Sequence, residues 1–169
     1  FLTVEPRDRR GHLKYKNQHT TYILASRTAP EVFDHLRDCH VILCHFLGHH
    51  NEWTAYKGQK RYAIGGGSTS GLRAIAVGYM MGFRNFILYG YDSCNAPNGM
   101  KRFDGSMTGV TTEVIVGGQT FTCNMAMAAQ AQEFQLCTYS LLPGIHLEVR
   151  GGGLLAAILE ERKKQGKHV

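Results

Sequence analysis

The residues Gly65 to Gly71 read GGGSTSG, three glycines followed by three small hydroxyl side chains and a fourth glycine. Glycine adopts a positive φ without penalty and lets another atom approach the backbone closely. From Leu72 the apolar positions Leu72, Ile75, Ala76, Tyr79, Met80 and Phe83 recur three and four apart, which predicts an amphipathic helix. A glycine turn running into a helix presents backbone N–H groups and the positive end of the helix dipole, chemistry suited to a phosphate or carboxylate. Gly65, Gly66, Gly67, Ser68, Thr69, Ser70 and Gly71 are therefore the candidate ligand-binding loop, with Arg73 one turn further on to reinforce it. Neither common nucleotide fingerprint is present. Gly66-x-x-x-x-Gly71 is followed by Leu72-Arg73 instead of Lys and then Ser or Thr, and Gly65-x-Gly67 meets Ser70 where a third glycine belongs. The competing reading is that these glycines only permit close packing of helix and strand.

Other residues with chemistry stand near predicted strand ends. Asp92 closes the apolar stretch NFILYGYD. A carboxylate there suits Mg²⁺, a ribose hydroxyl or a substrate amine, and equally suits capping of the following turn. Gly151, Gly152 and Gly153 repeat the order of strand, glycines and helix, which predicts a second backbone-lined wall of the same crevice. Four histidines, His40, His45, His49 and His50, lie close in sequence. His40 and His45 are five apart on a predicted strand and so on opposite faces, which argues against a metal cluster. The candidates for ligand contact or acid–base work are instead His45, or the pair His49 and His50 at the carboxyl end of the strand. His146, inside IHLEV, reads as a packing residue, and no Ser-His-Asp set, zinc-ligand set or nucleophile elbow is recognisable.

The elements that must position these residues follow from hydrophobic pattern. FLTVEP, TTYILAS and HVILCHF read as strands, the second buried on both faces, and Pro30 opens a short helix carrying Val32, Phe33 and Leu36. GHHNEWTAYKGQKR and residues 95–111 are polar loops. TEVIV and TFTC flank Gly117-Gly118 as a hairpin. A long helix follows, with Met127, Ala131, Phe134, Thr138 and Leu141 on one stripe and Pro143-Gly144 as its stop. IHLEV and GLLAAILEERKKQ complete the chain as strand and helix. Strands alternating with helices predict an α/β fold, a Rossmann-like three-layer, mostly parallel sheet with helices on both faces and one β-hairpin insertion. One domain over residues 1–169 is expected. The opening on Phe1 and an apolar stretch predicts that it is truncated or incomplete at the N-terminus.

At 43% apolar and 19% charged residues, the chain can bury a core, which excludes a disordered class. It has no apolar run of membrane-spanning length and no signal-peptide pattern, so no membrane partner and a cytoplasmic location are expected. Five widely spaced cysteines without C-x-x-C fit neither a disulfide framework nor a zinc ribbon. The net charge of +6 is concentrated in RDRRGHLKYK and ERKKQGKHV. These ends read as solvated surface in preference to a nucleic-acid site, because no aromatic residue interleaves the C-terminal run.

Several blocks together carry a resemblance. TTYILASRTAPEVFDHL, GGGSTSGLRAIAVGYMMGFRNFILYGYDSC and FTCNMAMAAQAQEFQLC with IHLEVRGGGLLAAIL resemble, in order, the DUF115 family. That family groups archaeal 6-hydroxymethylpterin diphosphokinases of the MptE type with motility accessory factors that glycosylate flagellin. Its usual upstream strand and glycine-rich loop have no counterpart here, and Glu5 stands where an Asp is common. The GGGSTSG segment and Asp92 are also similar to the nucleotide-binding region of bacterial sialyltransferases, in which a histidine before the later long helix serves as base. Here that stretch is CNMAMAAQ, without histidine, leaving Asn124 and Gln130 to orient a ligand. The resemblance implies a nucleotide-dependent transferase, either a diphosphokinase with a pterin-type hydroxymethyl acceptor or a glycosyltransferase with a nucleotide-sugar donor and a small-molecule or glycan acceptor. It implies Mg²⁺ at Asp92 for the first. A non-catalytic nucleotide or sugar-phosphate binding module is the alternative. The oligomeric state is left open, a homo-oligomer included.

Overall fold

The computed structural model describes residues 1–3, 7–8, 10–47, 63–100 and 109–166. The chain is mixed α/β and forms two compact units, Phe1–Ala74 and Ile75–Val169.

The first unit contains β1 (Leu2–Thr3), a 3₁₀ turn (Arg10–Leu13), β2 (Thr21–Ala25), α1 (Pro30–His35), β3 (His40–Phe46), β4 (Ala63–Ile64) and the start of α2 (Ser70–Met80). Its four strands form a parallel sheet in the order β1-β2-β3-β4, with Leu2 opposite Ile23, Ile23 opposite Ile42, and His45 opposite Ala63. Parallel neighbours need crossover connections, and α1 supplies the one between β2 and β3. Pro30 occupies the first helical turn as expected, and Val32 and Leu36 are fully buried. They pack with Leu13, Tyr22 and Leu24 into one core. Tyr22 enters that core because its hydroxyl is satisfied, accepting from the Asn17 N–H at 2.7 Å. In β2 only Tyr22, Leu24 and Ala25 are fully buried, while Thr21 and Ile23 are half-buried, so the strand is less enclosed than its apolar run predicts.

The second unit contains most of α2, then β5 (Asn85–Tyr89), β6 (Thr112–Val116), β7 (Gln119–Cys123), α3 (Met125–Leu136), a π turn (Cys137–Leu141), β8 (His146–Arg150) and α4 (Leu154–Lys164). β5 and β8 pair in parallel from Asn85–His146 to Tyr89–Arg150. The predicted hairpin forms, β6 against β7, with Gly117 and Gly118 at φ 56° and 78°. Positive φ at both central residues matches the turn's twist to that of its strands.

α2 ends earlier than its apolar pattern predicts. Gly82 takes φ 97°, its N–H donates to the Tyr79 carbonyl at 3.0 Å, and the Phe83 N–H donates to the Gly78 carbonyl at 3.0 Å. This is a Schellman ending, which uses the carbonyls left over at a helix terminus. Met80 and Phe83 consequently lie exposed instead of completing the buried stripe. Within α2, Gly78 lies against β5: a Cβ there would fall 2.8 Å from Cε1 of Phe86. Alanine would gain about 1 kcal/mol of helix propensity but collide with the ring. The expected net effect of Gly78→Ala is a loss of about 1–2 kcal/mol, readable by denaturant unfolding.

Of the stripe predicted along α3, Ala131, Phe134 and Thr138 are buried and Met127 is half-buried, while Cys137, outside that stripe, is buried beside them. The Thr138 hydroxyl bonds back to the Phe134 carbonyl at 2.6 Å, and the helix widens into the π turn. In α4, Leu154, Leu155, Ile158 and Leu159 are buried, and Arg162, Lys163 and Lys164 form a basic last turn that complements the helix dipole. All five cysteines are free thiols. No described helix is long and apolar enough to cross a membrane.

Candidate functional site

The glycine loop follows β4 directly and delivers the chain into α2. Gly66 and Gly67 take φ 121° and 96°, conformations that L side chains rarely adopt, so at these positions glycine is required by the backbone itself. Thr69 has a definite local duty. Its Oγ1 accepts from the Leu72 N–H at 3.3 Å, and its carbonyl accepts from the Arg73 N–H at 3.1 Å, so it caps α2. Ser70 opens the helix, Ser68 and Gly65 are exposed, and Gly71 is half-buried.

Arg73 is a correction to expectation. Its side chain does not extend to the loop surface but is fully buried, with Nη2 donating to the Leu47 carbonyl at 3.1 Å and the guanidinium 5.0 Å from the centre of the Phe46 ring. A buried cation must be compensated, and a carbonyl and an aromatic face at the carboxyl end of β3 contribute to that. The loop is thereby anchored to the sheet by a charged side chain one turn into its helix. His45 is half-buried on β3 and pairs in register with Ala63, two residues before the glycines. His40 lies toward the other end of β3, its Nδ1 3.0 Å from Thr21 Oγ1. The two histidines are thus on opposite faces, as their spacing requires. His49, His50 and Glu5 lie outside the described residues.

The second unit gathers the remaining candidates. β5 ends at Tyr89, Gly90 takes φ 72°, and Asp92 therefore sits in the turn beyond the strand instead of terminating it. Asp92 lies directly against Gly151 and Gly153. Its backbone carbonyl accepts from the Leu154 N–H at 2.8 Å, satisfying a donor at the start of α4, where the preceding Gly153 offers no side-chain cap. A Cβ on Gly153 would stand 2.6 Å from the Asp92 carbonyl oxygen, 2.7 Å from Oδ1 and closer still to its Cα. A Cβ on Gly151, whose φ is 133°, would lie 3.4 Å from the same Oδ1. The carboxylate is thus held over the positive end of α4 by a turn with no side chains. Gly151 and Gly152 are exposed, and a cavity of about 300 Å³ runs from this turn past Ala156 and Ala157 to the hairpin at Gly117 and to Glu161.

Sequence reasoning missed the residue that follows. Ser93 has φ 50°, the one non-glycine positive φ among the described residues, and it is buried. Such conformations persist where the surroundings fix them. Here Ser93 Oγ donates to Gln130 Oε1 at 2.8 Å, the Cys123 thiol donates to the Ser93 carbonyl at 3.3 Å, and the Asn95 N–H donates to the Thr122 carbonyl at 2.8 Å. Only the order GYDSC after a strand hinted at a turn here. Gln130 thus secures the Asp92 turn to α3. Asn124 is the N-cap of α3, its Oδ1 accepting from the Met127 N–H at 2.8 Å. Replacing Asn124 by Ala is expected to cost about 1 kcal/mol in thermal or denaturant unfolding.

Two of the thiols, Cys44 and Cys123, are poor nucleophiles. Burial pushes Cys44 and Cys123 up from the ordinary thiol range, and at Cys123 the neighbouring Cys94 adds to it. Burial likewise raises the Tyr91 hydroxyl. Among the described residues no group of three or more His, Cys, Asp and Glu is arranged to hold a metal ion. The Asp92 carboxylate supplies the oxygen type of ligand that Mg²⁺ takes, an ion that proteins usually bind through only one or two carboxylates.

No family model matches the chain, and neither a curated protein nor a solved structure matches it.

Proposed function

We propose that the chain is a nucleotide-dependent transferase domain in which the Gly65–Gly71 loop receives a nucleotide phosphate. One observation carries this reading: a parallel strand runs through two left-handed glycines into a Thr69-capped helix of eleven residues, anchored by the buried Arg73. That combination offers rigid N–H donors and a positive dipole end, which stabilise a transferring or departing phosphate without reorganisation. The finer architecture, a Rossmann-like three-layer fold, and kinship with the diphosphokinase and flagellin-glycosylating family belong to the same proposal. They rest on the blocks of sequence quoted above and on the parallel pairing within each unit.

Two chemistries fit such a domain. In diphosphate transfer Asp92 would hold Mg²⁺ through its carboxylate, and the ion would supply charge neutralisation of the phosphates. In sugar transfer a base is needed, and His45 and His49 are the candidates. Asn124 favours the first, since an amide engaged in capping α3 cannot take the place of a catalytic histidine. It also favours, as a second reading, a nucleotide or sugar-phosphate binding module without turnover.

Titrating ATP, GTP, CDP, CMP and AMP by calorimetry, with and without Mg²⁺, into the wild type and Asp92→Asn separates these readings. The isosteric amide keeps the backbone carbonyl that satisfies α4. Diphosphate transfer predicts Mg²⁺-dependent triphosphate binding that Asp92→Asn weakens at least about tenfold, or 1.4 kcal/mol. Metal-independent binding of a cytidine nucleotide, unchanged in Asp92→Asn, points to the sugar-transfer or binding-module branch.

A further inference from the structure

We propose that a recess in the second unit, bounded by the hairpin, the π turn and the last turns of α4, binds a small molecule carrying a carboxylate, with Arg162 and Tyr139 as its anchors. The recess has a volume of about 200 Å³, and Val116 and Ile158 give it apolar walls while Gln135 and Gln165 border it with amides. Tyr139 belongs to the π turn, a local widening of helical geometry that costs stability and is frequent at functional sites. The Arg162 guanidinium carbon stands over the Tyr139 ring, 3.3 Å from its centre.

Three facts converge on an acceptor-bearing ligand. The Tyr139 hydroxyl and Arg162 Nε are sealed from solvent, and neither makes a hydrogen bond of good geometry. Buried donors without partners cost about 1–3 kcal/mol each, and folded proteins rarely tolerate them without a compensating role. In the basic last turn, Lys163 pairs with Glu160 at 2.9 Å and Lys164 with Glu161 at 4.0 Å, whereas Arg162 pairs with no carboxylate among the described residues. Burial pushes the Tyr139 hydroxyl up, against the opposing pull of the Arg162 guanidinium beside it through both charge and polar contact, so it stays protonated at neutral pH.

The charge balance selects a monoanion. One guanidinium is offered, Glu161 borders the recess, and the C-terminal end of α4 carries the negative end of its dipole. A phosphate dianion is disfavoured there. A carboxylate takes an arginine N–H and a tyrosine O–H together, and its carbon skeleton meets Val116 and Ile158. The contact between guanidinium and ring closes both donors off from solvent. Rotation of Arg162 about its flexible side chain into the recess uncovers them together.

The test uses the full chain, with acetate, succinate and glutamate as probes, phosphate and chloride at matched ionic strength as controls, and thermal shift followed by calorimetry as readouts. The carboxylates are expected to raise the unfolding midpoint in a concentration-dependent way, as a ligand selective for the folded state must. Phosphate and chloride are expected to leave it unchanged. Arg162→Met and Tyr139→Phe are each expected to weaken the carboxylate effect at least about tenfold. Tyr139→Phe also removes a buried hydroxyl that makes no hydrogen bond of good geometry, so it folds at least as well as the wild type and keeps the test decisive should Arg162→Met unfold. The proposal is overturned if no carboxylate shifts the midpoint, if the shift survives in Tyr139→Phe, or if phosphate acts as strongly.

Discussion

Thr69→Asp is expected to leave the protein folded while weakening nucleotide binding by about 100-fold. Thr69 caps α2 through Oγ1. Aspartate is at least as good a cap, and its charge at the positive end of a helix contributes about 0.3–1 kcal/mol, so the unfolding midpoint should hold or rise. The same carboxylate would stand where a phosphate has to bind, and like charges brought together cost several kcal/mol. Alanine would be a poorer probe, because it removes cap and hydroxyl together and confounds stability with affinity. Calorimetry alongside a thermal melt separates the two effects. Unchanged affinity in a stable Thr69→Asp protein would place the phosphate elsewhere.

Much of this loop is legible in the sequence. Seven consecutive small residues between an apolar strand and an amphipathic stripe announce a turn into a helix, and the structure places β4 and α2 on its two sides. The direction of Arg73 is not legible. A helical wheel puts it beside the buried residues Leu72, Ile75 and Ala76, but only the Leu47 carbonyl and the Phe46 ring explain how a guanidinium can be buried there. Likewise, residue types give Asn124 and Gln130 as polar groups near a helix start. That one caps the helix and the other secures Ser93 depends on contacts 37 residues apart in the case of Ser93 and Gln130, which no local pattern encodes. α2 stops short of its apolar pattern because Gly82 takes a left-handed φ and ends the helix while apolar residues continue to Phe83.

Gly153→Ala is the second large effect expected. Gly153 has φ −90°, a conformation open to any residue, so backbone strain does not enter. The constraint is contact: a Cβ would collide with the Cα, carbonyl oxygen and carboxylate of Asp92, and backbone atoms cannot rotate aside as a side-chain tip can. The hydrogen bond from Leu154 to the Asp92 carbonyl would be displaced as well. A loss of about 3 kcal/mol is expected, at the upper end for overpacking, and a midpoint drop of more than about 10 °C. Gly152→Ala is the control, since a Cβ there meets nothing within 4 Å and should be close to neutral. Equal stabilities of the two variants would remove the close approach of Asp92 to the glycine turn from the account. If Gly153→Ala alone is destabilised, Gly153 is required by packing and Gly152 is left exposed at the start of α4.

Two glycine loops, Gly65–Gly71 and Gly151–Gly153, each offer backbone N–H groups to a phosphate, and amide NMR distinguishes them residue by residue. Titrating the nucleotide that binds most tightly into ¹⁵N-labelled protein, with and without Mg²⁺, should move the N–H signals of Gly65 to Gly71 first, with a saturating dependence that Thr69→Asp abolishes. Shifts confined to Gly151 to Gly153, or none in either loop from folded protein at saturating nucleotide, would contradict the assignment of the phosphate to Gly65–Gly71.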